Sequence, residues 1–121
     1  QYLNQGEYDL AAEHYGGPYE ILQGYNPTID QEDKATLLRA ACEFNGFMCL
    51  DVREVTFKET NNPHEFIFVV EFANPDGTPF VLGPCCGTDE ETMPPQSSFI
   101  VQVNCQEDGS CLVMDLPPYL P

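Results

Sequence analysis

The spacing of apolar residues changes near residue 46 of the chain. Upstream of it, the segment TIDQEDKATLLRAACEFNG has the spacing of an amphipathic helix. Its apolar stripe consists of Leu37, Leu38, Ala41 and Phe44. Asp30 is placed to cap the amino terminus, and Asn45-Gly46 is placed to end the helix. This segment therefore predicts the main helix of the fold.

Downstream of this helix, the apolar runs are typical of β-strands. The alternation in LDVREVTFKE predicts a strand with two different faces. One face would carry Val52, Glu54 and Thr56, and the other Arg53, Val55 and Phe57. The segment EFIFVVEFA is almost continuously apolar, which predicts a central strand.

Turn signals separate the predicted strands. TNNPH predicts a loop, because Pro63 cannot continue a central strand, and NPDG predicts a turn. TPFVLGPCCG predicts a short strand, and the acidic loop TDEETMPPQS follows it. SFIVQVNC and CLVMDL flank QEDGS, and together they predict a hairpin.

These elements predict an α+β fold in which one main helix packs on a four- to five-stranded antiparallel sheet, stabilised by disulfides. Residues 28–121 would form this single domain, and residues 1–27 would form a tyrosine-rich N-terminal arm. Within the arm, the segment EYDLAAEHYGG has helical spacing and predicts a short helix that Gly16 ends. The arm either packs its aromatic rings onto the domain or contacts a partner.

Negative charge dominates the composition. The chain has 20 Asp and Glu against 4 Lys and Arg, a net charge of −16, and no Lys or Arg from Glu59 onward. Such a field repels phosphate backbones and anionic lipid, so nucleic acid and membranes are not expected partners. A basic protein or peptide, or divalent cations, would be attracted, although solubility alone would also account for the charge.

Six cysteines without a CxxC pair predict disulfides and therefore secretion into an oxidising compartment. A chain that starts at Gln1 fits a mature secreted protein whose leader has been removed. Cys105 and Cys111 flank the last hairpin loop and are predicted to bond each other. Adjacent cysteines in an extended segment point to opposite faces, which disfavours a bond between them. The preferred connectivity therefore joins Cys85 and Cys86 to Cys42 and Cys49.

No motif in the sequence identifies a catalytic reaction or a cofactor. The serines lack a G-x-S-x-G context, and both histidines lie in loop-like stretches without a neighbouring nucleophile. The acidic loop is a candidate for a calcium site, with a solvated loop as the alternative. Its carboxylates are Asp89, Glu90 and Glu91. The chain is therefore predicted to be non-enzymatic and to need no cofactor.

One helix followed by an antiparallel meander resembles the cystatin superfamily, including the cathelin-type domains, over residues 16–116. The resemblance rests on order and spacing: Gly16-Gly17, then ATLLRAACEFNG, VREVTFKET and two hairpins. It implies a cystatin-like fold. Inhibitory cystatins wedge a papain-like cleft with a glycine, a Q-x-V-x-G loop and a P-W loop, whereas this chain has ETNNPH and QEDGS there. Cathelin-like domains are acidic and associate with a cationic segment.

The leading hypothesis is a secreted, non-enzymatic acidic binding protein that contacts a basic protein or peptide. One alternative is an inhibitor of papain-like cysteine proteases. Another is a structural, storage or calcium-binding extracellular protein. The predicted contact residues lie in the arm and at the two hairpin tips: Tyr8, Tyr15, Gly16, Gly17, Tyr19, Asn61, Asn62, His64, Glu107 and Asp108.

Overall fold

Three short helices precede a four-stranded sheet in a computed structural model that describes residues 1–83 and 94–120. The helices are α1 (Tyr8–His14), α2 (Glu20–Tyr25) and α3 (Lys34–Glu43). The strands are β1 (Asp51–Asn62), β2 (Glu65–Ala73), β3 (Phe99–Cys105) and β4 (Cys111–Val113). They form an antiparallel sheet in the order β1-β2-β3-β4, so β2 is an interior strand as predicted. The α+β class and four antiparallel strands are confirmed, and a fifth strand is not found in the described ranges.

The helices bury their apolar residues mainly against one another. Leu22 of α2 and Leu37 of α3 are both 0% exposed, and Ala11 of α1 belongs to the same buried cluster. Helix α3 contacts α1 and α2, whereas α1 is the helix that contacts the sheet, through β4. In place of one main helix packed on a sheet, three short helices share one apolar cluster beside the sheet.

Residues 1–27, predicted to be an arm, contribute two of these helices. Helix α1 confirms the short helix predicted from EYDLAAEHYGG. Helix α2 was not predicted, because EILQGY is short and ends in glycine and tyrosine, without a repeated apolar spacing. Its formation depends on burial of Leu22 against α3, which is a tertiary contact.

The cap of α3 differs from the predicted one. Asp33 is the cap: its Oδ1 accepts the backbone N–H of Thr36 at 3.3 Å, and its Oδ2 accepts the Thr36 hydroxyl at 2.7 Å. Asp30 was predicted for this role, but it accepts the backbone N–H of Glu32 at 2.9 Å in the turn before the helix. The segment 30–33 is therefore an acidic turn, and the helix begins at Lys34.

A disulfide joins Cys42 to Cys49. It contradicts the predicted connectivity, in which these two cysteines bonded Cys85 and Cys86. The reason is local: α3 ends, and Gly46 at φ 90° reverses the chain, so the Cα atoms of Cys42 and Cys49 lie 5.6 Å apart. This is ordinary bridging distance. Cys85 and Cys86 lie outside the described residues.

Strand β1 does not alternate as predicted. It has 12 residues against 9 in β2, and its pairing register shifts at three places, which are β-bulges or irregularities. Val52 pairs with Phe72, Val55 with Val70, and Phe57 with Phe68. Residues directly opposite each other share a face, so these three β1 residues all lie on one face. The prediction that Val52 faces the other way is wrong, because the first shift inserts one residue after it.

The β1–β2 connection is shorter than the predicted loop. Asn62 pairs with Glu65, so the turn consists of Pro63 and His64 alone. Proline is tolerated here because it lies outside the ladder of strand hydrogen bonds.

The turn predicted at NPDG is confirmed. Gly77 adopts φ 87° and donates its N–H to the Asn74 carbonyl at 2.8 Å. Residues 78–83, predicted to be part of a short strand, instead make isolated bridges. These are Ala73 with Pro79 and Leu82 with Gln96.

Candidate binding sites

The tips of the two hairpins meet at one end of the sheet. The Cys105 N–H donates to the His64 carbonyl at 2.8 Å, and His64 Nδ1 lies 3.1 Å from the Cys105 carbonyl oxygen. The disulfide between Cys105 and Cys111 closes the second loop beside this contact, which confirms the predicted pair. Residues 61–65 and 105–111 are called the hairpin end below. Main-chain hydrogen bonds and a disulfide make it one surface.

The hairpin end is acidic, and hydrogen bonds hold two of its three carboxylates, Glu65 and Asp108. Its sequence, NNPHE and CQEDGSC, contains three carboxylates and no Lys or Arg. The Asn62 amide donates to Glu65 Oε2 at 2.7 Å. The Ser110 hydroxyl and N–H donate to Asp108 Oδ1 at 2.6 and 2.9 Å, and these bonds hold the pKa of Asp108 below its usual value. This surface therefore presents oriented negative charge at neutral pH.

The structure separates the predicted contact residues into two groups. Five of them are exposed together at the hairpin end: Asn61, Asn62, His64, Glu107 and Asp108. The tyrosines of the other group are half-buried against the helix cluster: Tyr8, Tyr15 and Tyr19. Gly16 donates its N–H to the Val113 carbonyl of β4 at 2.9 Å, and Gly17 lies against the carbonyl of Met114, just after β4. The second group is therefore packed within the fold and lies apart from the five residues at the hairpin end.

Burial raises the pKa of two tyrosines in residues 1–27, Tyr15 and Tyr19. The Tyr15 hydroxyl donates to the Pro18 carbonyl at 2.9 Å, and its ring packs edge-on against Tyr19 with centroids 5.2 Å apart. Burial raises the pKa of Tyr15 to about 12 from 10.0, and the nearby Tyr19, Asp115 and Glu20 add to this shift. The folded chain therefore keeps this proton at pH values where an unfolded chain loses it.

We expect the free energy of unfolding to fall as the pH rises from about 10 to about 12. The unfolded chain ionises Tyr15 near pH 10, so the stability present below that pH is lost as the folded pKa is approached. Because Tyr15 is partly exposed, the loss should be about 1 kcal/mol. Urea unfolding across this pH range measures it. Tyr15→Phe should flatten the slope more than Tyr2→Phe at the exposed Tyr2, and equal slopes would contradict the assignment.

A second candidate site is an apolar cleft beneath one face of the sheet. The sheet wall carries Val55, Phe68, Val70, Val101, Val103 and Val113. The lining residues outside the sheet are Gln1, Leu3, Asp115, Leu116 and Pro117. The volume of this apolar cleft is about 390 Å³. The sequence did not predict this cleft, because the expected alternation of β1 placed Val52 and Val55 on different faces. In the structure both residues line the cleft.

The apolar cleft is too large to be a packing defect. A dry enclosed void of about 390 Å³ would cost on the order of 9 kcal/mol, which is comparable to the whole stability of a small domain. The cleft instead opens to solvent along β1, where Val55 is 54% and the neighbouring Phe57 55% exposed. It is therefore a solvent-accessible site with apolar walls.

In the ranges 1–83 and 94–120, no three His, Cys, Asp or Glu side chains lie together as metal ligands. The predicted calcium ligands Asp89, Glu90 and Glu91 lie outside these ranges. Among the described helices, none has the length and apolar composition needed to cross a bilayer.

Comparisons of the chain with protein-family models, characterised proteins and solved structures find no match. The resemblance to the cystatin superfamily therefore stays a prediction.

Proposed function

We propose that this chain is a secreted, non-enzymatic binding protein whose hairpin end contacts a basic protein or peptide. The observation that supports this most is the hydrogen-bonded contact between the two hairpin tips, at Cys105 and His64. It brings carboxylates from separate parts of the sequence onto one surface. Because β-strands and a disulfide hold that surface, little ordering is needed when a partner binds.

The charge of the rest of the molecule supports the same partner. The net charge of −16 attracts a basic partner at long range and speeds its encounter. Two of the four basic residues already form ion pairs: Arg39 with Glu43 at 3.1 Å, and Arg53 with Glu71 at 3.3 Å. These exposed pairs add little stability, but they reduce the positive charge available to repel a basic partner.

Two disulfides among the described residues support the proposed secretion, since such bonds persist in oxidising compartments. Both are short-range bridges, which clip α3 to the start of β1 and close the β3–β4 hairpin. Each closes a small loop and would contribute about 2 kcal/mol in the chain-entropy model.

A titration with a lysine-rich peptide tests the proposal, with a glutamate-rich peptide of equal length as the negative control. We expect binding of the lysine-rich peptide that weakens as salt is raised, because the contacts are exposed charges. The double variant Glu107→Gln, Asp108→Asn should weaken it about tenfold. Asparagine at 108 retains an oxygen that can accept from Ser110, so the turn is preserved.

The matched control removes one Glu and one Asp charge at residues outside the hairpin end. Glu7→Gln, Asp9→Asn changes the start of α1 and should alter affinity less than about twofold. Equal weakening by both double variants would show diffuse charge attraction and contradict a site at the hairpin end. Affinity that is independent of salt would contradict a charge-based contact altogether.

A second candidate function is inhibition of a papain-like cysteine protease. The adjacency of the two hairpin tips favours it, because the cystatins that this chain resembles use two neighbouring hairpin loops together. The loops here lack the family motifs, so inhibition has to be tested by an assay. Papain assayed with micromolar protein should lose activity, and full residual activity would remove this candidate.

A further inference from the structure

The apolar cleft has walls that select for apolar molecules. All four strands contribute to its sheet wall, and Gln1 and Leu3 near the start of the chain line it together with Leu116 and Pro117 after β4. Valine and phenylalanine side chains offer a ligand no hydrogen bonds, so the molecule that fills this space must be largely apolar.

The size and opening of the apolar cleft fit a small molecule. Its volume of about 390 Å³ lies within the roughly 300–1,000 Å³ typical of small-molecule sites. Val55, which lines it, is 54% exposed, so the side along β1 is open. A smaller cavity of about 130 Å³ adjoins it and shares Leu3, Val113, Asp115, Leu116 and Pro117 as lining residues.

Two polar residues, Gln1 and Asp115, line the apolar cleft within the described part of the chain. Among the described residues that line it, Asp115 is the one with a charged side chain. Its Oδ2 accepts the backbone N–H of Gln102 at 2.7 Å, which fixes the position of the carboxylate. The residue is exposed, so the carboxylate lies at the mouth of the cleft while the floor is apolar.

We propose that the apolar cleft binds a small apolar molecule that carries one cationic amine. The apolar body would lie along the valine and phenylalanine wall, with the ammonium group at Asp115. A fatty acid of the same length would be disfavoured, because the Asp115 carboxylate and the net charge of −16 on the chain both repel its carboxylate. This proposal is independent of a peptide contact at the hairpin end, since the two sites use different residues.

Three ligands with one alkyl chain and different head groups test the proposal: octylamine, octanol and octanoate at neutral pH. Each is titrated against the full chain preloaded with the neutral fluorescent probe 1-aminoanthracene. Octylamine should displace the probe at about fivefold lower concentration than octanol, because one exposed ion pair is expected to raise the affinity by about this factor. Octanoate should have the lowest affinity of the three ligands. Failure of all three to displace a bound probe, or a failure of the probe to bind, would overturn the proposal.

Asp115→Asn tests the head group. Asparagine still offers an oxygen to the Gln102 N–H, so the fold around it should persist. We expect octylamine to bind this variant about as weakly as octanol does, with the affinity for octanol unchanged. Glu59→Gln is the matched control, since Glu59 pairs with Ile67 on the opposite face and the variant loses the same charge. Equal loss in both variants, or tighter binding of octanoate than octylamine, would overturn the role of Asp115.

Val101→Phe tests the location by filling the apolar cleft. It should weaken all three ligands at least about tenfold, since it occupies the space that an alkyl chain needs. Val81→Phe makes the same change at a side chain that is 50% exposed and does not line the cleft. Methyl NMR of the unmodified protein does not depend on either variant folding. Octylamine should shift valine methyls of the cleft, and shifts confined to other residues would overturn the site.

Discussion

Replacement of Leu22 by alanine is expected to lower the free energy of unfolding by about 3 kcal/mol. Leu22 is 0% exposed and joins α2 to the buried cluster of α1 and α3. Its removal deletes buried methyl groups and leaves a cavity that the neighbouring helices fill only in part. For a domain of this size the loss is a large fraction of total stability, and urea unfolding followed by circular dichroism measures it.

Ile21→Ala is the matched control for Leu22→Ala. Ile21 precedes it in α2 but is 58% exposed, so the same kind of truncation should change stability by no more than about 0.5 kcal/mol. Similar losses in the two variants would show that α2 does not pack in the orientation described. A negligible loss in Leu22→Ala would show that α2 is not part of the core.

Gly17→Ala is expected to destabilise the fold by about 2–3 kcal/mol. A Cβ added at Gly17 would collide with the Met114 backbone carbonyl and with the Tyr15 side chain. A backbone carbonyl cannot move aside as a flexible side chain can, so the chain at Gly17 would have to separate from the Met114 backbone. The midpoint of thermal or urea unfolding measures the effect.

Gly24→Ala is the control for Gly17→Ala and should change stability in the opposite direction. Gly24 lies in α2, and nothing lies within 4 Å of a Cβ added there. Alanine should therefore stabilise the helix by about 0.5–1 kcal/mol. Destabilisation by Gly24→Ala, or tolerance of Gly17→Ala, would contradict the packing described for residues 16–25. The glycine pair that resembles a cystatin feature would then have a role other than close packing.

The sequence pattern predicted an element correctly where the signal was strong and no tertiary contact changed the outcome. EFIFVVEFA predicted β2 with the bounds found, Glu65–Ala73, because a continuous apolar run can be buried on both faces. The turn at Gly77 and the hairpin closed by Cys105 and Cys111 were predicted for similar reasons. In each case, residues close in the sequence determine the geometry.

Local pattern failed where a tertiary contact changed the outcome. The register shifts in β1 place Val52 and Val55 on one face. These shifts are seen only when β1 pairs with β2, because the alternation of residues in the sequence does not indicate them. Helix α2 depends on burial of Leu22, which its own six residues do not indicate. The partner of Cys42 depends on the chain reversal after α3, which places Cys49 beside it.

Some features of the candidate sites also follow from local sequence, whereas others depend on tertiary contacts. The sequence by itself determined the acidity, the disulfide-rich character and the residues at the two hairpin tips, because composition and turn chemistry are local properties. Only the tertiary structure decided that the tips meet through Cys105 and His64, and that the arm packs into the core. It also decided that all four strands line one apolar cleft beside Asp115. These features depend on strand register and on contacts between distant segments, and a one-residue shift in register reverses which side chains share a face.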